Sequence, residues 1–196
     1  MKQITETWIP CKPTDSRMLI TRYIPEYENS IQFRSLNLKT DLPAIHDWLQ
    51  QDYTQAYWQM KGSLHMLASC YQCILTNPNA HSFVGFLGNE LICQLDVYRS
   101  SADELNQFYS FNNNDCGFHL LMAPNKMRLP GLTTNAVKTF LEYYFSFEET
   151  DSLYGEPDKT NERSILLLER LGFERICEIR LSYKDAYLYH LPKVSS

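Results

Sequence analysis

Residues 115–161 read DCGFHLLMAPNKMRLPGLTTNAVKTFLEYYFSFEETDSLYGEPDKTN, and this stretch decides the fold. Cys116–Met122 is a short apolar run, the pattern of a buried strand. The turn Arg128-Leu-Pro-Gly-Leu-Thr-Thr134 leads into a helix opened by Thr133 or Thr134 and running to about Phe145. Leu153–Glu156 is a second short strand. Asn161–Leu171 is the next helix, with Leu167, Leu168 and Leu171 expected to be buried, and Gly172 supplies a left-handed cap after it. A strand, a helix and a strand in this order predict two parallel strands joined by a right-handed crossover. Their carboxyl ends then lie side by side. That edge collects three segments: the block around His119, the turn at 128–134, and Gly155–Asn161.

Outward from this unit, Phe173–Leu181 and Asp185–Leu191 read as two closing strands. Upstream, Arg17–Ile24 and Ile31–Leu36 read as strands, and Asp41 as the cap of a helix reaching Gln51. Ser63 caps a helix whose apolar stripe is Leu64, Leu67, Ala68, Tyr71 and Leu75. His81–Leu87 and Glu90–Tyr98, joined by Gly88–Asn89, form a hairpin. A polar loop, Arg99–Asn114, follows. The expected fold is α/β (α+β), with a mixed, largely antiparallel sheet, one parallel pair and flanking helices. One domain, 1–196, is expected, with 1–30 as an N-terminal extension.

Composition narrows the partners. The chain has 196 residues, 44% hydrophobic and 21% charged, the balance of a globular protein. Its net charge of −5 argues against nucleic acid and against an anionic membrane surface. No apolar run approaches the roughly 20 residues of a membrane span, and Met1–Ile4 lacks a signal-peptide pattern. The six cysteines are scattered, which points to reduced thiols and a cytoplasmic setting. Cys70 and Cys73 form a CxxC without a second pair, so no metal is expected, and they read as buried or half-buried thiols.

His119 has a side chain that titrates near neutrality, suited to proton transfer or to orienting a substrate. Its plainer reading is a core histidine. Backbone N–H groups at a helix start, with Arg128, Gly131, Leu132, Thr133 and Thr134, form a ready anion site. The plainer reading is a capped loop. Asp158 and Asn161 follow a buried strand, where carboxylates often line a cleft. They also serve as ordinary helix-start residues.

The turn Arg128–x–x–Gly131, with its flanking strands and helix, resembles the GNAT acetyltransferase superfamily. Thr133 stands where that superfamily usually has Gly or Ala. The match is closer to the acyltransferases of hydroxamate siderophore biosynthesis. It runs through Tyr57–Trp58–Gln59–Met60, Gln94–Leu95–Asp96–Val97–Tyr98 and Asp115–x–Gly117–x–His119. It continues in Gly131–Leu132–Thr133, Glu156–Pro157–Asp158–x–x–Asn161, Leu171–Gly172–Phe173 and Leu181–x–x–Lys184. In that branch Gly-Leu-Thr at the turn is familiar, while Asp96 stands where Glu is more frequent.

The resemblance implies an acyl-CoA, acetyl or succinyl, held where two parallel strands splay. Its diphosphate would meet residues 128–134 and its pantetheine Asn161, with a backbone N–H near Leu121–Met122 facing the oxyanion. It implies His119 as base or hydrogen-bonding group, and Asp158 as base or as the group that fixes His119 or the substrate. Tyr57, Trp58, Gln94, Asp96 and Tyr98 would border the acceptor, an N-hydroxylated diamine or lysine. Siderophore pathway enzymes are the implied partners. Two other readings are an aminoglycoside 6′-type N-acetyltransferase and a non-catalytic CoA-binding member.

Overall fold

The hairpin at Gly88 lies inside the sheet. Gly88 has φ +59°, which lets two residues join β3 (Ala80–Leu87) to β4 (Glu90–Arg99). The computed structural model describes residues 9–13, 17–58, 60, 62–124 and 129–194. Around the hairpin are β1 (Ile20–Ile24), β2 (Asn29–Ser35), β5 (Cys116–Met122), β6 (Ser152–Gly155), β7 (Glu174–Arg180) and β8 (Asp185–Pro192). They form one eight-stranded sheet in the order β1-β2-β3-β4-β5-β6-β8-β7. Every neighbouring pair is antiparallel except β5 and β6. The mixed sheet with one parallel crossover pair is the one its sequence predicts.

Side chains alternate across the sheet. One face carries Phe33, Phe83, Leu95 and Phe118, packed with Phe140 of α4 (Leu132–Tyr144) and Leu168 of α5 (Glu162–Arg170). The other face packs Val84 and Leu121 against α1 (Leu42–Leu49) and α3 (Leu64–Thr76). The four-residue α2, Asp52–Gln55, lies between those two helices in sequence. The described residues before position 30 reach into this core: Ile9 and Cys11 are buried, β1 pairs with β2, and Tyr143 Oη donates to the Cys11 carbonyl. Among the described residues no helix is long and apolar enough to cross a membrane.

Three local expectations need correction. Asp41 stands at the start of α1, but its carboxylate does not cap the helix. It accepts two bonds from the Arg34 guanidinium, at 2.7 and 2.8 Å, and one from Asn37 N–H. Cys70 and Cys73 are exposed, because Leu67 and Tyr71 take the buried stripe of α3 and turn the CxxC outward. In α5 only Leu168 is buried, and Leu167 and Leu171 are half-buried. Leu167 borders an open cleft beneath the helix. Ser63 does cap α3, accepting from Met66 N–H.

Candidate active site

The parallel pairing between β5 and β6 is short. It joins Cys116 to Leu153 and Gly117 to Tyr154 and then stops. Beyond that point the strands part, and a cleft of about 1000 Å³ opens between their carboxyl ends. Phe118 to Met122 line one wall, Gly155 to Asp158 the other, and the starts of α4 and α5 the floor.

A polar row crosses the sheet at this level. Ser82 pairs with Asp96, and Asp96 with His119. Glu156, two residues beyond Tyr154, continues the row on the same side. His119 Nε2 lies 2.5 Å from Glu156 Oε1. Tyr98 Oη donates to Glu156 Oε2 at 2.8 Å. Lys184 Nζ donates to the Glu156 carbonyl at 2.5 Å and lies 3.3 Å from Oε1. Glu156 is 1% exposed, whereas His119 is 36% exposed and faces the cleft.

Burial opposes charge on Glu156, but the neighbouring His119 and Lys184 charges and the bonds from His119 and Tyr98 outweigh it, lowering its pKa to about 2. Burial likewise opposes the His119 cation, yet the Glu156 charge and hydrogen bond hold the imidazole pKa above 6.5. Burial, then Glu156, keeps the Tyr98 phenol protonated and able to donate. An ionised carboxylate only accepts, so Nε2 carries a proton. Nδ1 has no protein partner among the described residues and is the nitrogen left for a substrate.

Gly117 makes the cluster possible. A Cβ added there would sit 2.3 Å from Tyr98 Cζ, so the phenol crosses β5 through the space a side chain would fill. The Tyr98 ring lies 4.9 Å from the His119 ring, and Trp58 meets the other ring contact at 6.1 Å, edge-on. Tyr57 Oη points to the Thr160 carbonyl at 3.4 Å, across the cleft mouth.

The other expected residues take distinct places. Ala123 N–H bonds to the Ile92 carbonyl on β4. By alternation, Leu120 and Met122 turn their backbone groups into the gap, and Leu121 turns its own toward Gln94. Tyr53 Oη donates to the Met122 carbonyl at 2.8 Å. Gly131, at φ +76°, sets the start of α4; Leu132 N–H returns to the Leu129 carbonyl. The amides of Thr133 and Thr134, in the first turn, have no intrahelical acceptor, and both residues line the cleft. Tyr27 braces this turn, donating to the Pro130 carbonyl at 2.7 Å. Arg128 and Gln59 lie outside the described residues.

Asp158 and Asn161 both border the cleft. Asp158 Oδ1 accepts from Thr160 N–H and Oγ1, at 2.7 and 2.6 Å. Asn161 caps α5 by accepting from Ser164 N–H. The carboxylate bonded to His119 is therefore Glu156, two residues before Asp158. Gln94 is fully buried and donates to Ser82 and Asp96, at 2.9 and 2.6 Å. Burial raises the half-buried Asp96 carboxyl, partly offset by bonds from Ser82 and Gln94. The sequence reading did not assign roles to Glu156, Lys184 or Tyr53. The register of β6 on β5 is the signal that identifies Glu156.

The splayed edge, the Gly131 turn and the cleft fit an extended thioester carrier with a diphosphate. Residues 37–181 match the family model described as acetyltransferase (GNAT) domain. N-hydroxyputrescine acetyltransferase of Acinetobacter baumannii is 24% identical over 180 residues, covering 88% of this chain and 86% of that one. N(6)-hydroxylysine O-acetyltransferase of Escherichia coli is 23% identical, covering 91% of this chain and 58% of that one. Among solved structures, an uncharacterized protein from Bacillus halodurans superposes with TM-score 0.82 at 22% identity, covering 88% and 89% of the two chains. Aminoglycoside acetyltransferase AAC(6′)-Ib with coenzyme A gives 0.75 at 20% identity, covering 83% and 95%. The chain thus belongs to the GNAT acetyltransferase domain family.

Proposed function

We propose that this protein transfers an acyl group, acetyl or succinyl, from acyl-CoA to the hydroxylamine nitrogen of an N-hydroxylated diamine or lysine in hydroxamate siderophore assembly. The observation that carries the reading is the His119–Glu156 pair at the mouth of the cleft. An ordinary alkylammonium, which titrates near 10.4, must give up a proton before its nitrogen can attack. A hydroxylamine is largely neutral at pH 7 and attacks without that step. Relatives named for N-hydroxyputrescine and N(6)-hydroxylysine support the same acceptor class.

The residues divide the work. Thr133 and Thr134 amides and Gly131 would hold the diphosphate, and Asn161 the pantetheine arm. Bound acyl-CoA supplies the acyl group as an activated thioester. The gap-facing N–H of Met122 is a donor for the acyl oxygen. Glu156 fixes the Nε2–H tautomer of His119, which leaves Nδ1 to take the proton the nitrogen releases. Asp158 sits beside the acceptor as a second carboxylate. Trp58 and Tyr57 cover the mouth and limit water.

Acetyl-CoA and succinyl-CoA, each incubated with a panel of amines and N-hydroxyamines, test the reading through free-thiol release. N-hydroxyamines are expected to give the highest kcat/KM. Equal or faster turnover of the plain amines or of aminoglycosides overturns the assignment.

A further inference from the structure

Resting on the proposed acceptor class, we infer that Asp96 and its buried neighbours bind the remote ammonium of the acceptor, so that the enzyme selects short diamines over amino acids. Asp96 stands opposite His119 on the adjacent strand and the same sheet face. The two side chains are about one strand spacing apart, 4.8 Å in general. A short methylene chain with its reactive nitrogen at His119 therefore places a second nitrogen beside Asp96.

The surroundings of Asp96 are rich in oxygen. Gln94 Nε2 donates to Asp96 Oδ1. The Gln94 Oε1 atom has no partner, although the residue is fully buried. The Tyr71 hydroxyl, from α3, is also buried without a partner. Burial, then the nearby Asp96 charge, keeps that phenol neutral. An ammonium brings three N–H donors. The Asp96 carboxylate and Gln94 Oε1, joined through the Gln94 amide, are two acceptors side by side, and Tyr71 lies near enough to feel the Asp96 charge. Polar oxygens left unsatisfied in a core are costly, and a bound ammonium would relieve the cost.

Charge argues against an acceptor tail that carries a carboxylate. Asp103 lies close enough to the pair to feel both Glu156 and His119. Lys184 and Arg34, the basic groups beside Glu156 and on β2, are already paired, with Glu156 and Asp41. An amino-acid carboxylate entering here would face Asp96, Asp103 and Glu156 with those cations committed.

Thiol release from acetyl-CoA, the acyl group being saturating, tests this with matched acceptors. N-hydroxyputrescine, N-butylhydroxylamine and N6-hydroxylysine differ in the tail alone at the remote end. The wild type is expected to favour the diamine over both others by at least about tenfold in kcat/KM. Asp96→Asn should erase the preference for the diamine over the butyl compound. The plain amines 1,4-diaminobutane, butylamine and lysine form a parallel arm. If only plain amines react, the hydroxylamine reading falls, and the tail preference is judged on that arm. Equal kcat/KM for cationic and neutral tails in the wild type overturns the inference without recourse to a variant. So does an Asp96→Asn protein of unchanged Tm that slows both tails alike.

Discussion

Tyr98 lies across Gly117, so close that a Cβ on Gly117 would come within 2.4 Å of the phenol oxygen. The bare backbone of one strand thereby lets a side chain of its neighbour reach Glu156 on the next. The Asp-x-Gly-x-His block is thus a spatial device: Gly117 opens the passage and His119 uses the carboxylate at its end. Gly117→Ala should expel the Tyr98 ring. The expected result is a loss of about 1–3 kcal/mol of stability, the usual cost of overpacking, together with lower turnover. Thermal unfolding and thiol release measure both. A variant with wild-type Tm and kcat would show that Tyr98 has another route to Glu156.

His119→Ala and Asp158→Ala are each expected to lower kcat at least about tenfold with acyl-CoA affinity retained. The reasons differ. His119 contributes the nitrogen left free toward the cleft. Asp158 faces the same cleft while its Oδ1 holds the Thr160 turn. Calorimetric titration of CoA beside thiol-release kinetics separates binding from turnover. Wild-type rates from both variants would remove the catalytic role from the pair.

Much of this was legible in the sequence, and the rest failed for identifiable reasons. The alternation in residues 81–98 and the apolar run at 116–122 prescribe their strands because the sheet face and the helices demand that period. His119 is legible because its strand ends at a crossover edge. Glu156 and Asp158 share one short motif, and local sequence does not say which points at His119. The register Gly117–Tyr154 decides it, since Glu156 then shares the His119 face. Lys184 reaches Glu156 only because the β7–β8 turn folds back under the site. Cys70 and Cys73 were misplaced by helix phase: Leu67 and Tyr71 define the buried stripe, and the thiols fall on the opposite side.

The pH profile should report the His119–Glu156 pair. Glu156 titrates at about 2, and His119 above its ordinary 6.5. With a neutral hydroxylamine acceptor, kcat/KM should rise with pH through an apparent pKa above 6.5, as Nδ1 loses its proton. Glu156→Gln removes the charge that raises His119 and leaves the burial that lowers it, so the midpoint should move below 6.5. An unmoved midpoint would assign that limb to another group.

The same pair should shape stability. The depressed Glu156 contributes fully above 4.5 and loses its contribution as pH falls toward about 2. The raised His119 contributes fully below 6.5 and loses its contribution as pH rises through its higher folded value. The Tm gap between wild type and Glu156→Gln is therefore expected to be widest from pH 4.5 to 6.5. A gap independent of pH would mean that Glu156 stabilises by packing and neutral hydrogen bonds alone.

Gly131 and Gly172 offer a matched pair for the anion site. Both have positive φ, +76° and +89°, and both adjoin a helix end, the start of α4 and the finish of α5. Neither is crowded: the nearest atoms to an added Cβ are Tyr27 Oη at 3.7 Å and Leu191 Cδ1 at 3.9 Å. Alanine at either should therefore cost stability through the backbone alone, about 1–3 kcal/mol. Only Gly131 orients the first-turn amides of α4 toward the cleft. Gly131→Ala is expected to weaken CoA binding at least about fivefold, a shift of roughly 1 kcal/mol, while Gly172→Ala leaves it unchanged. Calorimetric titration with CoA and with dephosphorylated pantetheine makes the comparison sharper, because the pantetheine fragment lacks the diphosphate. Equal losses for the two glycines, or a Gly131→Ala defect as large for pantetheine as for CoA, would take the diphosphate away from this turn.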